Sequence, residues 1–282
     1  MSATLPSDHT RTAKASDDQT VLALFEKLAL EAGRVIMDIF HAGFEHRAKA
    51  DLSPVTAADH AAEKVILTGL REALPDVPCV AEEEVAAGVV PMLSGDAFLL
   101  IDPLDGTKEF IRRGSDFTVN IALVRRGIPH IGVVFAPAQG TLYSGQPKAA
   151  NLVQVSPDFT AGSRRAICVQ PVAQPLRIVA SRSHRTAETD EFLTKFDGAE
   201  IVSVGSSLKF CLVASGQADL YPRFGRTMEW DTAAGDAILR AAGGRTRRLD
   251  GSRLTYGKRG QSDDEDFANP WFVADSGSVA WS

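Results

Sequence analysis

With 282 residues, 44% of them hydrophobic and 23% charged, the chain has the make-up of an ordinary globular protein, long enough for one large domain or two of common size. A formal net charge of -6 argues against a broad electropositive surface and so against binding of long nucleic acid by counterion release, while leaving a single nucleotide open. Cys79, Cys168 and Cys211 lie far apart, form no CxxC and are odd in number, which fits reduced thiols and neither a disulfide framework nor a zinc site.

Residues 1–20 mix Ser, Thr, Asp and Lys without an apolar run and read as a flexible tail, with no secretory h-region. From Val21 to Phe44 the apolar residues Leu22, Phe25, Leu28, Ala32, Val35, Ile36 and Ile39 recur at largely helical spacing, and Gly43 is a stop. A turn over Asp51–Asp59 leads into a second helix carrying Ala62, Val65, Ile66, Leu67 and Leu70 before Pro75. Strands are expected at Val77–Ala81, Ala97–Ile101, Phe117–Val124, His130–Phe135 and Thr141–Ser144, punctuated by Gly and Pro. Beyond about residue 175 the rhythm alternates: strand Leu176–Ala180, helix Glu188–Phe196, strand Glu200–Val204, helix Ser206–Gly216, strand Ala218–Tyr221, helix Asp231–Ala242, then short strands. The expected organisation is a tail over 1–20, an α+β part over 21–175 and an α/β part over 176–282. No apolar stretch approaches the roughly 20 residues a membrane-spanning helix needs.

The segment Phe98-Leu-Leu-Ile-Asp102-Pro-Leu-Asp105-Gly106-Thr107 holds the most chemistry. An apolar strand ending in Asp102 delivers a carboxylate to a sheet edge, where ligands gather in α/β folds. Pro103 is expected to turn the chain, leaving the Leu104 carbonyl free and returning Asp105 to the same point. Oxygen donors without His or Cys suit magnesium, manganese or calcium, although the same two Asp residues would also serve a plain turn. Gly106 and Thr107 would then open a loop or helix start whose N–H groups face a phosphate. Glu82-Glu83-Glu84 ends another strand and reads either as a solvated face or as further ligands, and Asp231 reads either as a helix N-cap or as a ligand.

Asp102-Pro-Leu-Asp105-Gly106-Thr107, followed by Trp230-Asp231-Thr-Ala-Ala-Gly235 and preceded by Glu82-Glu83, resembles the paired signature of the inositol-monophosphatase-like phosphatases, in the family's order and over most of the chain. The resemblance implies a layered αβαβα sandwich of the inositol-monophosphatase/fructose-bisphosphatase kind, and magnesium-dependent, lithium-sensitive hydrolysis of phosphate monoesters. It implies two or three Mg2+ ions, replaceable by Mn2+. Glu82, Asp102 and the Leu104 carbonyl would hold one, and Asp102, Asp105 and Asp231 a second. It also places Asp59, at the end of Ser53-Pro-Val-Thr56-Ala-Ala-Asp59, beside Thr107 to position the attacking water, with Glu82 joining them in catalysis.

Asp105-Gly-Thr-Lys-Glu-Phe110, Phe117-Thr-Val-Asn120, Ser181-Arg-Ser-His184, Gly205-Ser-Ser-Leu-Lys-Phe210 and Tyr221-Pro-Arg-Phe-Gly225 resemble the bisphosphate nucleotidase branch. That branch implies a small nucleotide bisphosphate as substrate, adenosine 3',5'-bisphosphate converted to AMP and phosphate in support of sulfur assimilation. Gly106, Thr107, His184, Ser206, Lys209, Arg223 and Asp231 would line it. The alternatives are an inositol or sugar-phosphate phosphatase and a non-catalytic regulator on the same fold. Lys209 and Arg223 also read as solvated charges, His184 as a structural loop residue, and Cys79 and Cys211 as core thiols. The acidic run Asp263–Asp266 departs from the family pattern and reads as a solvated insertion. A cytoplasmic protein is expected, with peripheral contact at the inner membrane and a homodimer left open.

Overall fold

The computed structural model describes residues 17–44, 46–48, 54–93, 95–182 and 185–281. The chain starts with helix α1 (Asp18–Ala42), whose buried stripe Leu22, Phe25, Ala29, Ala32, Ile36 follows the helical period and which ends at Gly43 with a positive φ of 91°. Two short antiparallel strands, β1 (His46–Ala48) and β2 (Pro54–Thr56), come next and lead into α2 (Ala57–Ala73). Thr56 and Asp59 form a capping box there, which fixes where α2 begins.

Seven strands then build the larger sheet: β3 (Cys79–Ala81), β4 (Ala97–Asp105), β5 (Thr118–Arg125), β6 (Ile128–Ala136), β7 (Thr141–Gln146), β8 (Ala149–Val155) and β9 (Ala161–Ala166). They lie side by side in chain order; β3 is parallel to β4 and every later pair is antiparallel. Short helices α3 (Glu82–Ala86) and α4 (Thr107–Ile111) follow β3 and β4. The smaller sheet has the order β11-β10-β12-β14-β13, from β10 (Arg177–Ser181), β11 (Glu200–Val204), β12 (Leu220–Arg223), β13 (Arg245–Arg248) and β14 (Phe272–Asp275). Its β11, β10 and β12 are parallel, which requires the crossovers that α5 (Ala187–Leu193) and α6 (Leu208–Ala214) supply. Helix α7 (Ala233–Ala241) completes the set.

Alternation along the strands sorts the core into layers. Leu99, Ile101, Val119, Ile121, Val133 and Phe135 face α1 and α2. Phe98, Leu100, Ala122, Val124 and Val134 point the other way, onto α6 and α7, which also cover Val179, Tyr221 and Phe272 of the smaller sheet. The outer face of that sheet, Ile178, Leu220 and Val273, packs on Phe192 and Leu193 of α5. The result is the expected αβαβα stack, with α6 and α7 as the filling between two sheets. A Cβ at Gly132 would sit 2.3 Å from the Ala234 carbonyl oxygen, so glycine there lets α7 lie directly on β6.

Three local expectations change. The strand predicted over Ala97–Ile101 continues to Asp105, because Pro103 is absorbed in a bulge and does not turn the chain. Strands β8 and β9 were not expected; β9 is exposed along its whole length and has no inward-facing alternation to reveal it. The helix expected from Asp231 starts at Ala233 with Thr232 as its N-cap residue, so Asp231 is not an N-cap.

Candidate active site

Parallel pairing sets Ala81 opposite Ile101, so the next residues, Glu82 and Asp102, leave adjacent strands at one edge. Strand β4 pairs with β5 at Asp102–Asn120 and again at Asp105–Thr118. Pro103 and Leu104 thus oppose Val119 alone, and the bulge brings both Asp side chains back to the same edge. Leu104 N–H donates to Asp102 Oδ1 at 3.0 Å, and the Thr107 hydroxyl oxygen lies 3.2 Å from the Leu104 carbonyl oxygen. Asp231 arrives from the chain just before α7, its Oδ2 accepting from Met228 N–H at 2.7 Å.

These acids feel one another. Asp102, 1% exposed, has its carboxyl held well above the usual range by burial and then by the charges of Glu82, Asp105 and Asp231. Asp231 is raised in the same way, by burial, Asp105 and Glu82. Asp105 is raised by burial while Lys209 and Ser207 pull it back. Among the described residues no three of these side chains already stand in a closed metal shell, yet buried carboxylates that disfavour each other's charge, with a carbonyl beside them and no His or Cys, fit a hard divalent cation such as Mg2+ or Mn2+.

Asp59 uses both carboxylate oxygens. Oδ2 accepts from the Thr56 amide and hydroxyl, each at 2.7 Å, and Oδ1 accepts from the Thr107 hydroxyl at 3.2 Å. The capping box that starts α2 therefore also aims Asp59 at Thr107. Gly106, between Asp105 and Thr107, has φ 94°; a Cβ there would lie 2.8 Å from the Asp116 carbonyl oxygen, so the tight approach needs glycine. Phe110 and Phe117 pack edge to face beneath α4 and hold it in place.

The second half approaches from the carboxyl ends of the parallel strands β10, β11 and β12, where Arg182, Ser206 and Arg223 lie. Ser206 is left-handed with φ 47°, and its hydroxyl is shielded from solvent without a hydrogen-bond partner among the described residues. Lys209, 4% exposed, is not a solvated charge: its ammonium donates to the carbonyls of Ser206 and Val204 and lies over the Tyr221 ring. Burial pushes its pKa down to about 8 against the pull of Asp105. Arg223, 7% exposed, donates to the Arg226 carbonyl at 2.8 Å. His184 lies outside the described residues.

Several bonds join this assembly that the sequence does not announce. Ser207 Oγ donates to Asp105 Oδ2 at 2.9 Å and accepts from Asn120 Nδ2 at 3.0 Å. Asp116 receives Gly205 N–H at 3.1 Å and the Arg182 guanidinium at 2.8 Å. Fully buried Glu229 accepts from the amides of Gly257 and Lys258 and pairs with the Lys258 ammonium at 2.6 Å, which anchors the approach to Asp231. Cys79 and Cys211 are buried thiols, Cys79 pushed up to about 11, and inert as expected. In the acidic run, Asp264 and Glu265 pair with Arg226 and Asp266 with Arg259.

The 3'(2'),5'-bisphosphate nucleotidase CysQ of Escherichia coli (strain K12) is 46% identical over 248 residues, 87% of this chain and 96% of that one. The crystal structure of CysQ from Bacteroides thetaiotaomicron superposes with a TM-score of 0.75 at 36% identity, covering 91% of this chain and 97% of that chain. An inositol monophosphatase from Anabaena gives a TM-score of 0.70 at 26% identity over 93% of this chain and 92% of the other. A profile of the Inositol monophosphatase family matches residues 17–269, from α1 to the loop before β14, and takes in every acid gathered at the β3–β4 edge. This protein belongs to the inositol monophosphatase family.

Proposed function

We propose that this chain is a 3'(2'),5'-bisphosphate nucleotidase, hydrolysing adenosine 3',5'-bisphosphate to AMP and phosphate with divalent cations held by Glu82, Asp102, the Leu104 carbonyl, Asp105 and Asp231. The observation that carries the chemistry is the gathering of these acids at one edge with the Asp59–Thr107 pair next to them. The substrate is argued from the similarity to CysQ proteins together with buried Lys209 and Arg223, fixed positive charge suited to a second phosphate.

Bound Mg2+ supplies Lewis acidity toward the phosphoryl oxygens and favours deprotonation of water. Thr107, its hydroxyl proton turned toward Asp59, presents its oxygen lone pairs to a water and orients it for in-line attack on phosphorus. As the water attacks, its proton passes to the Thr107 oxygen while the Thr107 proton passes to the Asp59 carboxylate, whose second oxygen, tied to Thr56, keeps it from swinging away. Gly106, Thr107, His184, Ser206 and Asp231 would line the nucleotide, with Lys209 and Arg223 supplying charge-assisted contacts to its second phosphate. Glu82, Asp102 and the Leu104 carbonyl would hold one cation and Asp102, Asp105 and Asp231 a second, with two or three ions per site.

This reading includes a cytoplasmic location and a two-part chain dividing near residue 175, and leaves a homodimer open. No described helix is long and apolar enough to cross a membrane. Phosphate release from adenosine 3',5'-bisphosphate and from inositol monophosphate, measured with Mg2+ and after chelation, tests the assignment. Preference for the inositol ester, or full activity without divalent cations, would refute it.

A further inference from the structure

We infer that Ser207, steadied by Asn120, is a positioning residue that sets the Asp105 carboxylate for cation binding and joins the substrate turn to the acidic site. The inference rests on the proposed role of Asp105 and Asp231 as ligands. Ser207 is 3% exposed and Asn120 1%, so water does not compete for their bonds. Asn120 Oδ1 accepts from the Thr118 hydroxyl at 3.0 Å, which fixes the amide with its NH2 toward Ser207. That NH2 occupies a lone pair of Ser207 Oγ, and the single hydroxyl proton is left for Asp105 Oδ2 at 2.9 Å or the Asp231 carbonyl.

The route is closed on itself. Thr118 and Asn120 are the β5 partners of Asp105 and Asp102 in the sheet, so the chain of bonds leaves the first half at β5, passes through Ser207 in the second half, and returns to Asp105. Ser207 directly follows Ser206, whose carbonyl is held by Lys209. The turn that offers Ser206 to a substrate therefore also grips a ligand of the cation. With Oδ2 of Asp105 turned to Ser207, the other oxygen is pre-aimed at the acidic cluster, and outer hydrogen bonds of this kind govern how well a ligand holds its ion.

The test is a calorimetric Mg2+ titration of the full chain and of Ser207→Ala, Asn120→Ala, the double variant and Asp105→Asn, with thermal melts in chelator as the folding control. Ser207→Ala should raise the Mg2+ dissociation constant about tenfold or more, and Asn120→Ala by less. The double variant should be no worse than Ser207→Ala, since both act through one bond chain. Melting without Mg2+ should change little, and KM for adenosine 3',5'-bisphosphate measured at saturating Mg2+ should move far less than the Mg2+ constant. Unchanged Mg2+ affinity in Ser207→Ala, or additive losses in the double variant, would overturn the inference, provided Asp105→Asn abolishes binding. If the wild-type chain binds no Mg2+, the acidic-site reading fails first and this inference with it.

Discussion

The edge of the larger sheet and the carboxyl ends of the smaller one meet at the same site by different means. The first gives negative charge from the sheet edge: β3 ends just before Glu82, Asp102 stands beside it on β4, and a bulge returns Asp105 at the end of β4. Backbone register decides where those groups stand. The second gives hydroxyls from the turn before α6 and positive charge from α6 and the end of β12: Ser206, Ser207, Lys209 and Arg223 are held by bonds to backbone carbonyls and acids. Damage to the first should therefore appear in turnover and metal binding; in the second, loss of Lys209 or Arg223 should appear in substrate affinity and local order, and loss of Ser207 in metal binding through Asp105.

The largest effect is expected at the water-orienting pair. Thr107→Ala should lower kcat by about 10²- to 10⁴-fold with the melting temperature nearly unchanged, because it removes one half-buried hydroxyl. Asp59→Asn should lose comparable turnover and also about 1 kcal/mol of stability, since the capping box of α2 loses its charged acceptor. Normal turnover in both variants would remove the pair from the mechanism.

Lys209→Ala tests the other side. Losing a charge-assisted contact amounts to about 1.5–3 kcal/mol, read as a rise in KM for the bisphosphate that a simple monophosphate does not share. A stability loss should accompany it, because the left-handed turn at Ser206 also loses its tether. Equal loss on both substrates would assign Lys209 to the turn alone.

Chelation should lower the melting temperature near neutral pH; at a hundredfold excess over Kd, Mg2+ contributes about 2.7 kcal/mol. The gap should close in acid. Asp102 and Asp231 have raised carboxyl pKa values, so the metal-free folded state binds more protons than the unfolded one and gains stability as pH falls. Glu63, pushed up to about 7 chiefly by burial, adds a slope of the same sign: metal-free stability falls as pH rises from the ordinary glutamate value of 4.5 to about 7. Melts of Glu63→Gln across that window should be flatter, and an unchanged slope would count against the shift.

The smallest effect belongs to the acidic run. Arg226 and Glu265 are 51% and 66% exposed, so Arg226→Ala should change stability by less than about 1 kcal/mol, with the difference fading in salt. A loss of several kcal/mol would make that run a structural clamp.

The acidic half was readable because its geometry is local: an apolar strand ending in Asp, then Gly and Thr, carries its meaning in consecutive residues. Its error was Pro103, which reads as a turn by itself but is accommodated when β5 holds the chain on both sides of the bulge. The turn half was readable only in part. Lys209 shows its charge in the sequence, but burial between two carbonyls depends on α6 packing between the sheets. Ser207 and Asn120, 87 residues apart, stand in stretches that carry the resemblance, but their bond to each other exists only once the halves come together. Asp231 was ambiguous because the chain before a helix suits either an N-cap or a ligand.

Chain order has a consequence for biosynthesis. Strands β4 to β9 pair with their sequence neighbours, so the larger sheet can form while the rest of the chain is still being made. Glu82, Asp102 and Asp105 are then exposed as an incomplete acidic edge, lacking both the Ser207 turn and Asp231. The covering layer of α6 and α7, which brings these groups in, arrives only after the whole larger sheet has been made. A stalled or truncated product ending before α7 should therefore be a folded acidic fragment with an open apolar face, prone to stick to other chains and poor at retaining Mg2+.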